Sequence, residues 1–599
     1  MNPFLLEGME TNRWAVRSAR GFRYAIRTCR ARSARPTFGL NSYGLGPLGE
    51  PAPPNKSKTI NPTVASTIMR HFRLAAAALG FATTVDAESA RPDWPQGGGP
   101  HGDFVLPGAT APAQWSVVRA ENIVWRVTLP ETGQSPVTVS GGRAFFSHVK
   151  PVEADSTVGR HTIACCADAA TGKLLWQREI AGRFDLRLSG CFSDSSSPPA
   201  VTFGDTVCFI NASGTIASFD FAGKLRWSKD ILVAGRTIPF VHQGRIIYLR
   251  QIYPPDASGN FTPDHAHAPP EEWTQLQALD LKTGEVVWTT RCGANMGSLS
   301  LPQQRTDGKH VAVVGRGGGH GPPETPEGIS LVDLGDGRTL WSLPIEGFMS
   351  TMSFSLHQGN VIVFHGAECW KVDAMTGAIT TRIKIVDRIR ARLHGDDGKW
   401  YVETVTIKEG KAGREITQGS NLLVGDHGFF RSYQRNYLGR VNLITGQVEY
   451  LMLPVQMLRE PGKDDRLLWG PAGSLPAFKP GKKAGPLALH EWALRHNQVR
   501  NSRGLLVMGD ERSQGNGWGH IASPSPIAVG ELLYVTSMSG LVYVVHWRAE
   551  RLDEKALVAI NDLGPLGDAW TRASLSYAEG RLYAQTIREV IAIGDRPKP

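Results

Sequence analysis

The sequence lacks several features that would assign it to a functional class. Its 599 residues include only seven cysteines, none of them in Cys-x-x-Cys spacing, so we expect no zinc site. It contains no apolar run of the roughly 20 residues that a membrane-spanning helix needs. The Gly-rich stretch at 316–328 does not open a helix after a strand, as a phosphate-binding loop would. We therefore predict no metal site, no transmembrane segment and no nucleotide cradle.

Positive charge is also scarce in most of the chain. The formal net charge is +10, but residues 1–68 alone carry ten Lys and Arg against three Glu. From Glu88 onward the chain is nearly neutral, without a basic helix or a Lys/Arg stripe with interleaved aromatic residues. We therefore expect no nucleic-acid partner.

The run that begins at Met69 resembles a secretory signal peptide. A basic start is followed by an apolar core from Leu74 to Val85 and by small residues up to Ala87. This predicts a signal peptide at 69–87 and a periplasmic or extracellular protein. Residues 1–68 precede it, so either the true start is Met69 or these residues form a disordered or targeting extension. The alternative for Leu74–Val85 is an ordinary helix of a cytoplasmic protein.

What the chain does have is many turn residues, many tryptophans and an internal repeat. The 66 Gly, 39 Pro and 16 Trp favour a β-rich fold. A motif of the form Asp-x-x-Thr-Gly-x-x-x-Trp recurs in six imperfect copies. The copies are DAATGKLLW from Asp168, DFAGKLRW from Asp220, DLKTGEVVW from Asp280, DLGDGRTLW from Asp333, DAMTGAITT from Asp373 and NLITGQVEY from Asn442.

The chemistry of this motif predicts a tight turn before an outer strand. The Asp carboxylate caps the turn, and Gly supplies the positive φ that closes a short hairpin at low cost. The Trp then lies on the following strand, where its ring can fill the gap between neighbouring sheets. Before each copy, segments with alternating apolar and polar residues predict three more strands. Each unit is therefore predicted to be a four-stranded blade of a β-propeller.

We predict an all-β, eight-bladed propeller of four-stranded antiparallel blades over residues 122–599. The six motif copies end blades 1 to 6, and the degenerate unit that ends in ALVAIND forms blade 7. The last unit has only three strands, and residues 122–130 with Trp125 supply its fourth. Pairing the two termini closes the ring and removes an exposed sheet edge. Residues 88–121 form a lead-in segment.

These units resemble the repeats of quinoprotein (PQQ-like) propellers. DWPQGGGPHGD at 93–103 is similar to the Trp-Pro-Gln opening of exported bacterial proteins of that kind. The resemblance implies either a pyrroloquinoline quinone (PQQ) dehydrogenase or a non-enzymatic member such as an outer-membrane assembly protein. The family's enzymes hold the quinone and a calcium ion on the ring axis, with a catalytic Asp, a Trp floor and a ceiling disulfide between adjacent cysteines.

The cysteines do not match that enzyme pattern. Cys165 and Cys166 are adjacent but read as part of a strand, where neighbouring side chains point to opposite faces. We therefore expect buried free thiols or separate partners rather than a ceiling disulfide. A disulfide between Cys191 and Cys208 is plausible from their positions around one repeat. No segment matches the calcium ligands or the catalytic Asp, so we predict no catalytic residue and leave the cofactor-binding residues unknown.

Long insertions point to a binding face. In four-stranded blades, the links between blades and the turns between second and third strands lie on one face. With the strands predicted above, all of the long segments lie on this face. Loops on a rigid scaffold commonly carry binding sites. The alternative is that these segments merely cover the ring. They are 150–161, 181–199, 251–273, 315–328, 386–418 and 455–521.

Two insertions contain features of their own. The longest is predicted to hold a short amphipathic helix after Pro486, as a lid or cap. His265 and His267 could chelate a metal as a His-x-His pair, although two histidines on a Pro-rich loop are more often solvated.

The sequence thus predicts an exported, non-catalytic propeller, expected to be a monomer, that binds a protein, glycan or other ligand on its insertion-rich face. The alternatives are a PQQ-dependent alcohol or sugar dehydrogenase, which would need PQQ and calcium, and an envelope assembly scaffold. We expect no cofactor under the first interpretation.

Overall fold

The computed structural model describes residues 93–595 except for twelve short gaps. The gaps are 189–193, 235–237, 252–268, 296, 318–323, 348–352, 408–420, 433–435, 470–499, 506, 508–523 and 567. The described residues belong to one compact unit, Ala87–Pro599. Their regular secondary structure consists of β-strands and a single 3-10 turn at Pro270–Glu272. None of the described helices is long and apolar enough to cross a membrane.

Eight antiparallel sheets form the eight predicted blades, each with its first strand paired to the second, the second to the third and the third to the fourth. Blade 1 comprises Thr138–Ser140, Arg143–Val149, Thr162–Asp168 and Leu174–Ile180; blade 2 comprises Val201–Phe203, Thr206–Asn211, Thr215–Asp220 and Leu225–Asp230. Blade 3 comprises Phe240–His242, Arg245–Gln251, Gln275–Asp280 and Val286–Thr289; blade 4 comprises Gln303–Gln304, His310–Arg316, Gly328–Asp333 and Thr339–Pro344.

The second half of the ring repeats this order. Blade 5 comprises Ser355–His357, Asn360–His365, Glu368–Asp373 and Ile379–Lys384; blade 6 comprises Leu422–Val424, His427–Arg431, Tyr437–Asn442 and Val448–Met452. Blade 7 comprises Ile527–Val529, Leu532–Thr536, Leu541–His546 and Leu557–Asp562; blade 8 comprises Ser576–Ala578, Arg581–Gln585, Glu589–Ile593 and the N-terminal strand Ile123–Thr128. First strands contact one another between blades 8 and 1, 1 and 2, 2 and 3, and 4 and 5, so the first strands line the centre of the ring.

The ring closes as predicted. Ile123–Thr128 pairs antiparallel with Glu589–Ile593, and the Arg126 and Glu589 side chains form an ion pair at 2.6 Å across this ladder. Two strands that are more than 460 residues apart in sequence thus complete blade 8, which confirms the closure through Trp125.

Several blades have more than four strands. Val233–Ala234 adds to blade 3, and Val105–Leu106 adds to blade 7 in parallel with its first strand. Two small sheets lie outside the blades. They are Val158–Gly159 with Leu186–Arg187 and Gln456–Leu458 with Arg466–Leu468.

Blade 6 departs most from the prediction. The insertion at 386–418 was expected to be a loop on the insertion-rich face, and that expectation is wrong for its first part. Ile389–His394 and Trp400–Val405 form a hairpin that pairs in parallel with the fourth strand of blade 6. The hairpin buries Tyr450, the residue in the Trp position of this copy, and the Tyr450 hydroxyl donates a hydrogen bond to the carbonyl of Ile385.

The repeat motif joins each blade to the next. The Trp125 ring lies against Gly172 of blade 1, where a Cβ would come within 2.7 Å of it. Its Nε1 donates a hydrogen bond of 3.0 Å to the carbonyl of Ala169. The ring of each of the next four Trp residues packs in the same way on the Gly of the following blade, and Trp176, Trp227 and Trp341 also donate an Nε1 hydrogen bond to a carbonyl there. The pairs are Trp176 with Gly223, Trp227 with Gly284, Trp288 with Gly337 and Trp341 with Gly377.

The Asp of the motif caps the turn through its carboxylate. Asp168 Oδ1 accepts hydrogen bonds from the Thr171 amide at 2.8 Å and from the Thr171 hydroxyl at 2.7 Å. The hydrogen bond from the Thr171 side chain lowers the pKa of Asp168. Gly172 follows with a φ of 73°, which a residue with a Cβ adopts only with strain. The consensus is thus a local turn combined with a docking site for the preceding blade.

Candidate functional site

The antiparallel order of the strands sorts the connections onto two faces. We call the face with the inter-blade links and the second-to-third-strand turns the insertion-rich face, and the opposite one, which carries the Thr-Gly turns, the turn face. All six long insertions lie in connections of the first kind. Several sequence-predicted features lie outside the described residues: the signal peptide at 69–87, His265 and His267, and the helix after Pro486.

On the turn face, the segment Trp94–Phe104 forms a plug at the centre of the ring. Trp94 pairs with Val139 in the first strand of blade 1, and its side chain is fully buried. The carbonyl of Pro95 accepts a hydrogen bond from Thr202 of blade 2, and Gln96 Oε1 accepts one from the amide of Val241 in blade 3. Three consecutive residues therefore bridge three consecutive blades.

The glycines of the plug are required by close contacts. A Cβ on Gly97 would lie 2.5 Å from Ile238, and a Cβ on Gly98 would lie 2.7 Å from the carbonyl oxygen of Gly102. Gly102 has a φ of 75°, and a Cβ there would lie 2.5 Å from Pro302 of blade 4. The Trp-Pro-Gln-Gly-Gly-Gly sequence thus has a structural explanation, which the sequence analysis did not find.

The lead-in segment then reaches blade 7. The carbonyl of Phe104 accepts a hydrogen bond from Ala528, and Val105–Leu106 continues as an added strand. Further on, Asp562 anchors the segment. Its Oδ1 accepts hydrogen bonds from the amides of Val117 and Val118, and its Oδ2 accepts one of 2.6 Å from the Ser116 hydroxyl. Residues 94–118 therefore contact blades 1 to 4 and blade 7.

A cavity of about 470 Å³ lies beside the plug on the turn face. His101 and Asp103 of the plug line it together with His242 and His310, whose ring centroids are 4.7 Å apart. Burial raises the pKa of Asp103 and lowers the pKa of His242. In both side chains, burial therefore shifts the equilibrium towards the neutral form.

At the opposite end of the ring axis, buried polar side chains join three blades. We call this set the polar floor; it consists of Gln134, Ser135, Ser147, Asp194, Ser196 and Gln585. The Gln134 amide donates to the Ser196 hydroxyl at 3.1 Å, and the Ser135 hydroxyl donates to Gln585 Oε1 at 3.3 Å. Gln585 Nε2 donates to the carbonyl of Ser147 at 2.8 Å.

Asp194 organises the link between blades 1 and 2. Its side chain is fully buried, and Oδ1 accepts hydrogen bonds from the Ser196 amide at 2.9 Å and the Ser196 hydroxyl at 2.6 Å. Arg572, in the link between blades 7 and 8, donates to Gln134 Oε1 at 3.3 Å. Since buried polar groups are costly unless they are paired, this network holds the inner ends of the links in one arrangement.

Two insertions meet next to the polar floor. Glu131 is fully buried, and its Oε2 accepts a hydrogen bond of 2.8 Å from the amide of Ser502. Asn501 Nδ2 donates to the carbonyls of Ala154 and Ser156. The described end of the 455–521 insertion therefore packs on the 150–161 insertion, directly beside the polar floor.

A buried histidine lies at this junction. The His148 ring is 2% exposed, and its Nδ1 lies 2.7 Å from the carbonyl oxygen of Val149. Its Nε2 has no hydrogen-bond partner among the described residues. Burial lowers the pKa of His148, while the Glu131 carboxylate acts in the opposite direction. The neutral imidazole is therefore the favoured form beside the polar floor.

The structure confirms the expectation for the adjacent cysteines. Cys165 and Cys166 are free thiols in the third strand of blade 1, and their side chains belong to two different hydrophobic clusters. Burial raises the pKa of both thiols to about 12. The suggested disulfide between Cys191 and Cys208 is wrong, because Cys208 is a buried free thiol; Cys191 lies outside the described residues. No group of three or more His, Cys, Asp or Glu residues in the described part is placed to hold a metal ion.

The comparisons with known proteins agree with the fold. Residues 159–320 match the family model of the outer membrane protein assembly factor BamB. Over these residues the chain is similar to PQQ-like β-propeller repeats. We found no match among curated proteins.

The solved structures to which the chain is similar include an alcohol dehydrogenase and BamB. A quinohemoprotein alcohol dehydrogenase from Pseudomonas putida HK5 is 12% identical over 87% of this chain and 84% of that chain, with a TM-score of 0.44. BamB from Moraxella catarrhalis is 13% identical over 67% of this chain and 97% of that chain, with a TM-score of 0.34.

Proposed function

We propose that this propeller is a non-catalytic binding protein whose ligand, a protein or a glycan, docks on the insertion-rich face. The observation that carries the proposal is the contrast between the two ends of the ring axis. The Trp94–Phe104 plug occupies the end on the turn face, whereas the insertions and the polar floor share the other end. Loops held on a rigid scaffold are where propellers and related folds usually build binding sites.

The chemistry of the described residues supports a role without a quinone. The adjacent cysteines point into separate cores, so they do not supply the ceiling that the quinoprotein enzymes place over the cofactor. Asp194 of the polar floor accepts hydrogen bonds from the Ser196 amide and hydroxyl, and Glu131 beside the floor accepts them from the amides of Thr132 and Ser502. The proposed binding function therefore involves neither PQQ nor calcium.

We further propose that the protein is exported through the leader at 69–87. The apolar core between Leu74 and Val85 supports this assignment. N-terminal sequencing of the protein recovered from the producing cell tests it. A mature start near Glu88 is expected, and a start at Met1 would contradict export by this leader.

A binding experiment with matched charge reversals tests the docking face. Glu153 and Asp155 are exposed in the 150–161 insertion, and Glu285 and Glu531 are exposed on the turn face. The variants E153K/D155K and E285K/E531K change the net charge by the same amount. Envelope proteins and glycans captured by residues 88–599 should be lost or weakened only with the first variant.

Two outcomes would contradict the proposal. One is that the turn-face variant, and not the insertion-face variant, loses its ligands. The other is that the protein incubated with PQQ and Ca²⁺ binds quinone stoichiometrically and reduces a dye with an alcohol or sugar. The second result would favour the dehydrogenase alternative.

A further inference from the structure

The outer edges of the blades are protected by bulges, with one exception. In blades 1 to 5 and 7, the ladder between the third and fourth strands contains a register shift, and in blade 8 the shift lies beside Trp125. A bulge bends an edge strand and increases its twist. Such irregular edges are poor templates for pairing with another strand.

Blade 6 carries the exception. Its outermost strand is Trp400–Val405, and this strand pairs with Ile389–His394 through six consecutive residue pairs without a register shift. Among the residues that the structure describes, none pairs with the outer side of this strand. Tyr401 is 43% exposed and Val402 is 54% exposed, and Glu403 and Thr404 are exposed as well.

The composition of this edge also favours pairing. Residues 400–405 read Trp-Tyr-Val-Glu-Thr-Val, which are strong β-formers with a single charge at Glu403. The outer strand of blade 1, in contrast, carries both Arg178 and Glu179, and that of blade 4 ends at Pro344. Charges and proline are common means of keeping edges apart, and this strand has fewer of them.

The ladder determines which backbone groups face outward. The Gly395 amide donates a hydrogen bond of 2.8 Å to the carbonyl of Lys399, so residue 399 faces the partner strand within the hairpin. Along an antiparallel strand, inward and outward hydrogen-bonding groups alternate. The amides and carbonyls of Trp400, Val402 and Thr404 therefore point away from the hairpin.

We propose that this strand is a homodimer interface, in which the Trp400–Val405 strands of two copies pair antiparallel about a two-fold axis at Tyr401. This register places Trp400 opposite Val402 of the second copy, so the outward amides and carbonyls of both residues meet. It also places Lys399 opposite Glu403 of the second copy, and symmetry repeats this ion pair. Opposite charges directly across a ladder are favourable.

The neighbouring register lacks this complementarity. A two-fold axis at Val402 would also satisfy the outward backbone groups, but it would place Lys399 opposite Val405 and Glu403 opposite Tyr401. Both charges would then face uncharged side chains. The charge pattern therefore selects the register centred on Tyr401, and it selects a second copy of this chain as the occupant.

The interface is small, so the dimer should dissociate on dilution. One strand on each side buries less than the roughly 1,200 Å² of a standard stable interface. Sedimentation equilibrium of residues 88–599 over about 1 to 200 µM should therefore show a reversible monomer–dimer equilibrium. This state would replace the monomer that the sequence analysis expected.

A charge exchange tests the register. Each of the variants K399E and E403K places like charges opposite each other twice, so each should raise the dimer dissociation constant by about tenfold or more. The double variant K399E/E403K restores opposite charges and should recover the dimer. The control E179K changes an exposed Glu on the bulged edge of blade 1 and should leave dimerisation unchanged.

A proline tests the backbone pairing. Val402→Pro removes an outward N–H that makes no hydrogen bond within the hairpin, and edge strands tolerate proline at such positions. This variant should keep the circular dichroism of the wild type and remain monomeric. A wild type that is monomeric throughout the concentration range would overturn the proposal. So would a dimer that all of these variants leave intact, or single charge variants that the double exchange fails to rescue.

Discussion

The two ends of the ring axis are built in opposite ways. On the turn face, one continuous stretch of eleven residues, Trp94–Phe104, supplies the plug, and its glycines allow close backbone contacts. On the insertion-rich face, the polar floor combines residues of the links 8–1 and 1–2 with strand ends of blades 1 and 8, and its hydrogen bonds join residues up to 450 positions apart in sequence. The plug closes one end of the ring by close packing, and the polar floor forms a hydrogen-bonded network beneath the insertions at the other end. The polar floor therefore depends on residues from several links and blades, whereas the plug depends on a single segment.

The largest expected effect on stability comes from removing the buried Trp ring of the plug. Trp94→Ala removes a fully buried ring and should lower the free energy of unfolding by about 3–5 kcal/mol. Urea denaturation of residues 88–599 measures the change. Trp341→Ala, which removes a partly exposed ring at the rim, is the control and should cost less. A Trp94 variant as stable as the control would show that the plug is not part of the core.

A second prediction separates packing in the plug from backbone conformation. Gly102 and Gly108 have nearly the same φ, 75° and 74°, but a Cβ on Gly108 would meet nothing within 4 Å. Gly108→Ala should therefore cost only the backbone strain, about 1 kcal/mol. Gly102→Ala adds a clash with Pro302 and should cost about 1–3 kcal/mol more. Equal losses of stability would contradict the close contact.

A third prediction concerns pH, where the two ends should respond in opposite directions. His148, beside the polar floor, has a lowered pKa in the folded protein. The neutral His148 stabilises the folded state fully above the unfolded pKa of about 6.5. This stabilisation is lost as the pH falls towards the lower pKa of the folded state. Asp103, in the plug, has a raised pKa in the folded protein. The stabilisation by its neutral carboxyl is therefore fully present below the ordinary pKa of 3.8, and it is lost as the pH rises through the folded pKa.

Melting temperatures between about pH 3.5 and pH 8 test both signs. His148→Gln should reduce the loss of stability between neutral and mildly acidic pH. Asp103→Asn keeps an acceptor for the Val105 amide and should reduce the loss of stability as the pH rises from acidic values. Variants with pH profiles parallel to the wild type would contradict the assignments.

The smallest effect is expected from the weakest member of the polar floor. The Ser135 hydroxyl makes contacts of 3.3 Å to Gln585, 3.3 Å to the Ser147 amide and 3.4 Å to the Ser147 hydroxyl, all of them long. Ser135→Ala should lower the free energy of unfolding by no more than about 1 kcal/mol. Asp194→Ala, which removes the acceptor of two short bonds, should cost more. The reverse order would show that Ser135, and not Asp194, holds the floor.

Much of the fold followed from local chemistry that is visible in the chain. The turn from Asp168 to Gly172 needs only neighbouring residues, so six copies of it could be recognised directly. The docking of Trp125 on Gly172 was harder to foresee, although the recurring Trp indicated a ring between sheets. Blade 6 was only partly predictable: the copy that ends in Tyr450 lacks its Trp, but nothing in it shows that the 389–405 hairpin covers that strand.

The candidate site was less accessible, because it depends on contacts between distant segments. Cys165 and Cys166 could be assigned to a strand from the alternation around them. The disulfide suggested for Cys208 was wrong, because Cys208 is a buried free thiol and closeness in sequence to one repeat does not determine pairing. Asp194, Gln134 and Gln585 each look like ordinary polar residues in links and strand ends. Only the closed ring brings them together.

The amino-acid sequence by itself determined the repeat, the turns, the number of blades and the closure of the ring. These features depend on residues that are close in the chain or on a pattern that recurs, and turn chemistry and strand alternation act locally. The tertiary structure alone decided that the lead-in segment plugs the turn face, that buried polar groups join the links at the other end, and that blade 6 ends in a regular edge. Each of these depends on which distant segments meet when the ring closes, because buried polar groups and tight glycine contacts are satisfied only by partners from other blades.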